Sequence, residues 1–172
     1  SDAFYFAFKM PERKSIEYYV VDVLSDALGR DKSSRLYTKI QKEQKLVTEI
    51  NAYISGSLDN GLLVIEGKLS EGKTFEEVEH AIWDVLTEIK SKQLSNEELH
   101  RLKNKIRTAK EFQEQGLLNR TMNLCYFELL GDANGINEEA ILYEKIQAEH
   151  IQAVAKEILQ ENNCTLLKVK AI

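Results

Sequence analysis

The sequence predicts an α+β protein, a two-layer sandwich in which helices cover one face of a mostly antiparallel sheet. Three observations predict it. Apolar residues at every second position mark strands at both ends of the chain and around residues 46–69. Apolar residues every three to four positions mark helices elsewhere, most of them between residues 74 and 159. The two central strands are joined by a hairpin signal and must be antiparallel, and helices outnumber strands, so that one sheet face is covered.

Taken in order, Phe4, Phe6 and Phe8 alternate with Tyr5, Ala7 and Lys9 in a half-buried strand, which Pro11 is expected to end because it cannot donate to the ladder. Glu12 to Leu28 reads as a helix with Val20, Val23, Leu24 and Leu28 in its stripe, and Gly29 as its C′ residue. Ser34 to Tyr53 starts as a short helix carrying Leu36 and Ile40. It turns into a strand at Leu46 with no glycine or proline between. That strand runs to about Leu58, where Asp59-Asn60-Gly61 signals a type I′ turn, and the strand Leu62 to Leu69 returns.

Thr74 with Glu77, and Ser95 with Glu98, read as capping boxes that open two helices. The first carries Phe75, Val78, Ile82, Val85, Leu86 and Ile89, with Trp83 off the stripe but read as a core residue. The second carries Leu99, Leu102 and Ile106. Gly116 marks a break, after which Met122, Cys125, Tyr126 and Leu129 give Leu117 to Leu130 an inward stripe, closed by Gly131. Asn137 is expected to cap a short helix, another starts near Ala148, and Thr165 to Lys170 is the last strand.

With 172 residues, 43% apolar and 30% charged, the chain reads as one domain with a substantial core. Its net charge of −5 and the lack of a basic stripe argue against nucleic acid as a partner. No apolar run is long enough to span a bilayer. Cys125 and Cys164 lack metal-site spacing and read as small buried side chains, which fix no compartment, cytoplasmic or periplasmic. The chain opens without methionine and enters a strand at once, which reads as the boundary of a longer or processed chain.

A search for chemistry finds little. His80, His100 and His150 are isolated, neither HExxH nor HxxEH occurs, and each reads as a surface histidine. There is no Gly-rich phosphate loop and no GxSxG elbow. Ser33 and Ser34 read as helix caps. The pairs Glu76/Glu77, Glu97/Glu98 and Glu138/Glu139 fall in first helical turns, where they complement the helix dipole. No catalytic residue and no metal ligand is assigned.

Three stretches together resemble the C-terminal domain of the M16 zinc metallopeptidases: LSDALGRDKSSRLYTKIQKEQKLV (24–47), LSNEELHRLKNKI (94–106) and the segment from Asn119 to Leu159. The resemblance implies the sandwich fold read above. It also implies that residues 1–172 form a single domain separated from an N-terminal domain of the same fold. That absent domain would carry HxxEH and bind zinc, so no cofactor is expected in this chain itself. This domain would form the far wall of an enclosed peptide chamber, with peptide or unfolded protein as substrate. Members work as dimers or as two-lobed single chains, so a homo- or heterodimeric partner is also implied. In many active members an arginine ends the strand-feeding helix and a tyrosine follows seven positions on; both bind the substrate peptide. The matching positions here are Gln41 and Thr48, which lack the charge and the phenol. A structural or inactive partner subunit is therefore the alternative expectation, and a peptide-binding module that adds a ligand strand to a sheet edge is a third.

Overall fold

The computed structural model describes residues 1–56 and 58–171. Its elements follow the expected order: β1 (Ala3–Glu12), α1 (Ile16–Gly29), a π-helix (Tyr37–Glu43), β2 (Val47–Ser55), β3 (Asn60–Leu69), α2 (Phe75–Ser91), α3 (Asn96–Gln115), α4 (Leu117–Leu130), α5 (Gly135–Lys145), α6 (Ala148–Ile158) and β4 (Cys164–Val169). The four strands form one antiparallel sheet in the order β2-β3-β1-β4.

Alternation decides which face is covered. Phe4, Phe6, Phe8 and Met10 of β1, with Leu63, Ile65 and Leu69 of β3, are buried on one side. There they join Val23, Leu24 and Leu28 of α1, Ile82, Leu86 and Ile89 of α2, and Ile151, Ala155 and Ile158 of α6 in one core. Fully burying each large side chain contributes about 1.5–3 kcal/mol, so this layer dominates the stability. Trp83 is half-buried at its edge and meets Phe6 and Phe8 edge-to-face at 6.1 and 6.0 Å. Among the described residues no helix lies over the other sheet face, and Tyr5, Tyr53, Leu62, Leu167 and Val169 are exposed there.

Several local expectations are corrected. Pro11 does not end β1: it sits at a bulge between Met10 and Glu12, and Glu12 still pairs with Asn60. A bulged residue leaves the ladder, so its missing N–H is not needed there. Gly29 is the last residue of α1 rather than its left-handed C′ residue. A Cβ there would lie 2.4 Å from the Ala52 nitrogen, so the glycine is set by the close approach of α1 to β2. β2 ends at Ser55, and Asn60 and Gly61 belong to β3 without positive φ. The type I′ turn is therefore not formed at Asn60-Gly61. Ser57, inside the strand read as reaching Leu58, lies outside the described residues.

The Thr74 capping box is complete, whereas Ser95 accepts from the Glu98 N–H with no reciprocal bond. Glu98 instead holds Arg35 through two hydrogen bonds of 3.2 and 2.9 Å. Ser33 and Ser34 cap no helix: the Asp31 carboxylate accepts from the Ser33 N–H, and the Ser34 hydroxyl donates to the Asp31 carbonyl. Asn134, not Asn137, precedes α5. Gly116 does break the helices in extended geometry, and Gly131, at φ 114°, closes α4 with the Asp132 N–H on the Phe127 carbonyl.

The largest correction concerns α3 to α5. The only buried residues of α3 are Leu99, Leu102 and Ile106, with none beyond Ile106, and Phe127 is the only buried residue of α4. Met122, Cys125 and Leu129 point to solvent instead of inward, so Cys125 is exposed, while Cys164 is half-buried on β4; both are free thiols. Leu99, Leu102, Ile106 and Tyr143 join the core, and polar contacts reinforce the hold of this helical unit on the body. Glu139 leaves its dipole role to bind Arg13 and Lys110, each at 2.5 Å, and the Tyr143 hydroxyl donates to Asp22 at 2.6 Å. The Arg13 guanidinium lies 4.7 and 4.8 Å from the ring centres of Tyr18 and Tyr19.

Candidate functional site

The segment from Tyr37 to Glu49 departs from regular geometry three times within thirteen residues. Its helix is wound as a π-helix, with the Gln44 N–H on the Lys39 carbonyl. Lys45 then turns the chain at φ 53°, the only left-handed non-glycine among the described residues. This is how helix passes to strand without glycine, at a cost of roughly 1–2 kcal/mol. The third departure is a bulge in β2, where Val47 pairs with Leu69 and Glu49 with Lys68, leaving Thr48 outside the ladder.

These irregularities bring the two sequence-predicted site residues together. The Gln41 side-chain amide donates to the Thr48 carbonyl at 2.7 Å, and the Thr48 hydroxyl lies 3.4 Å from the Lys68 carbonyl. Gln41 is half-buried and Thr48 exposed. They line a shallow groove of about 240 Å³ along the free edge of β2, together with Arg30, Asp31, Lys32 and Tyr37. Sequence reasoning missed these last four and the role of Lys45. A guanidinium, an ammonium, a phenol and a carboxylate thus surround an amide and a hydroxyl.

The groove has firm walls. Arg30 is paired with the buried Asp26 at 2.9 Å. Asp31 receives Lys105 at 2.9 Å and the Ser33 backbone N–H at 2.8 Å. Burial would raise the Asp31 carboxyl, but the hydrogen bonds from Ser33 and Lys105 outweigh it and hold the group at about 2. Arg101 donates to the Ser33 hydroxyl at 2.5 Å, and Lys39 pairs with Glu88. Residues 24–47 and 94–106, the first two stretches of the sequence resemblance, therefore meet through Asp31–Lys105, Ser33–Arg101 and Arg35–Glu98.

The residues present do not fit a zinc ion. Among the described residues no group of three or more His, Cys, Asp or Glu could hold a metal. Each histidine has a local partner instead: Asp84 lies 3.6 Å from His80, the Asn104 amide is 2.9 Å from His100, and the His150 ring accepts the Gln147 N–H at 3.1 Å. No helix of the described residues is long and apolar enough to cross a membrane.

A family model described as the peptidase M16 inactive domain matches residues 1–106, more than half of the chain. The chain belongs to this family. Solved M16-like structures share its fold. A protease from Helicobacter pylori superimposes with a TM-score of 0.92 at 16% identity, covering 99% of this chain and 41% of that one. A candidate zinc protease from Bordetella pertussis gives 0.89 at 21% identity, covering 100% of this chain and 95% of its own. The inactive peptidase domain of a candidate zinc protease from Bordetella parapertussis gives 0.90 at 20%, covering 99% and 91%. This M16 domain thus spans less than half of the Helicobacter protease chain. No curated protein sequence matches it.

Proposed function

We propose that this inactive M16 domain is one wall of a peptide-binding chamber in a longer zinc peptidase, opposite a separate N-terminal domain that supplies the metal and the hydrolysis. The observation that carries this reading is the cluster of irregular backbone around Gln41 and Thr48. A π-helix, a left-handed lysine and a bulge within one short segment are unfavourable locally, and such features concentrate where a fold serves a ligand. The segment borders an uncovered sheet face with Tyr5, Tyr53, Leu62 and Leu167 exposed, and with Lys68 paired to Glu49 at 3.0 Å. Apolar and aromatic side chains with a few polar groups suit an extended peptide of mixed sequence.

In this reading Gln41 and Thr48 touch the substrate backbone as neutral hydrogen-bonding groups. The zinc, held by the other domain, would activate the attacking water. This chain would bind, orient and shield the peptide. A second reading, a structural or inactive partner subunit, draws support from the same two residues, because neither offers the charge or the phenol of active M16 relatives.

The test uses the full-length protein. Replacing Gln41→Arg and Thr48→Tyr together is expected to change turnover of an unstructured peptide several-fold, and unchanged turnover would remove the substrate role of these positions. The 172-residue chain alone is expected to hold no stoichiometric zinc after mild chelation, as measured by elemental analysis. Zinc that survives chelation would contradict the division of labour.

A further inference from the structure

The groove beside β2 differs in charge from the rest of the chain. Residues 30–45, which supply Arg30, Asp31, Lys32, Tyr37 and Gln41 to it, hold six lysines and arginines against two carboxylates, whereas the whole chain has a net charge of −5. Pairing within the fold does not cancel this excess. The carboxylates that line the groove, Asp31 and Glu49, are both answered by cations from outside it. Asp31 receives Lys105 at 2.9 Å and lies 3.7 Å from Arg101, and Glu49 receives Lys68 at 3.0 Å.

The groove's own cations are Arg30 and Lys32. Arg30 uses one nitrogen, Nη1, on the buried Asp26 and leaves Nε and Nη2 for another acceptor, on a side chain that is 55% exposed. Lys32 is exposed and pairs with no carboxylate among the described residues. One turn earlier on α1, Asp22 takes the Tyr143 hydroxyl and does not line the groove. Arg30, Lys32, Lys68, Arg101 and Lys105 thus stand against Asp26, Asp31 and Glu49, an excess of cations that an added carboxylate would balance.

We infer that this groove is a carboxylate subsite, in which Lys32 and the unused edge of Arg30 bind an acidic group of the peptide beside Gln41 and Thr48. The inference rests on the chamber reading and narrows its substrate class to peptides with a carboxylate at one position. Geometry favours it. A guanidinium edge matches the two oxygens of a carboxylate, and the Asp26 pair already fixes the Arg30 head, so little freedom is lost on binding. At about 240 Å³ the groove takes one side chain or one chain end, not a cofactor-sized ligand.

The test is a rapid-mixing measurement of peptide binding to the full-length protein at low salt, read before turnover. The unstructured peptides share one sequence, with Glu, Gln or Lys at a single position that is moved along it. Each is made with an amidated and with a free C-terminus. At the favoured position Glu is expected to bind about threefold more tightly than Gln, a preference that shrinks as salt is raised. Lys32→Glu, at an exposed position, is expected to bring the Glu-to-Gln ratio to one or below. A preference that follows the internal Glu assigns the groove to a side chain, and one that follows the free C-terminus assigns it to the chain end; both support the subsite. Equal binding of all charge variants, or a preference that survives Lys32→Glu, overturns it and leaves the chamber reading standing. Binding of no peptide, neutral ones included, removes the chamber reading and this inference with it.

Discussion

The body of the domain and its α3–α5 unit are held by different forces. In the body, Phe4, Phe6, Phe8, Leu24, Leu28, Leu63, Ile65, Ile82 and Leu86 are fully buried, so apolar packing sets both its position and its stability. The α3–α5 unit gives that core only Leu99, Leu102, Ile106 and Tyr143 and adds a few polar bolts: Glu139 between Arg13 and Lys110, Tyr143 on Asp22, and Lys105 on Asp31. Packing forgives no cavity, whereas bolts can be undone one at a time. The two regions should therefore fail separately.

The largest effect should come from the body. Leu24→Ala, buried where α1 meets the sheet, is expected to destabilise the whole domain by about 3–5 kcal/mol in chemical denaturation. If α3–α5 melted alone in that variant, with the sheet retained, the division would be misplaced. Glu139→Gln should come next, at roughly 3 kcal/mol, because it leaves two cations without their carboxylate. Its signature is local: hydrogen exchange should accelerate in α4, α5 and the second half of α3, with β1 and β3 unchanged. Equal acceleration everywhere would remove the distinction.

A pH effect sharpens the comparison at the joint. The Asp31 carboxyl is held at about 2 in the folded state, so the unfolded chain binds the proton first as pH falls. Its contribution is complete above the ordinary aspartate range, about pH 4, and is lost as pH drops toward 2. Asp31→Asn should flatten the fall in denaturation midpoint across that window. Asp22 works in the opposite sense: burial raises its carboxyl against the lowering effect of the Tyr143 hydroxyl, so its ionisation at higher pH subtracts stability. The smallest expected change is Thr74→Ala, about 1 kcal/mol, for the loss of the α2 capping box in the body.

The body was legible in the sequence for a physical reason. Period-two and period-3.6 apolar patterns predict burial when another element lies opposite, and β1, α1, α2 and α6 all face one core. The same rule misplaced Met122, Cys125 and Leu129, because a periodic stripe states that a helix has an apolar side without saying what covers it. At the candidate site, Gln41 and Thr48 could be named from the resemblance alone. Their juxtaposition could not, since it depends on a π-helix, a left-handed Lys45 and a bulge, none of which is marked by a glycine or a proline. Arg30, Asp31, Lys32 and Tyr37 were missed because they are near Thr48 in sequence but join it in one groove only through the local folding of this segment, which no residue pattern marks.

The central claim is that the uncovered sheet face meets the peptide while the helical layer stays outside. A photo-crosslinking residue substituted for Tyr53 on the open face, and separately for His80 on α2, tests it in the full-length protein with an unfolded peptide. The account predicts peptide capture from the Tyr53 position and none from the His80 position. Equal capture from both, or capture from His80 alone, would contradict it.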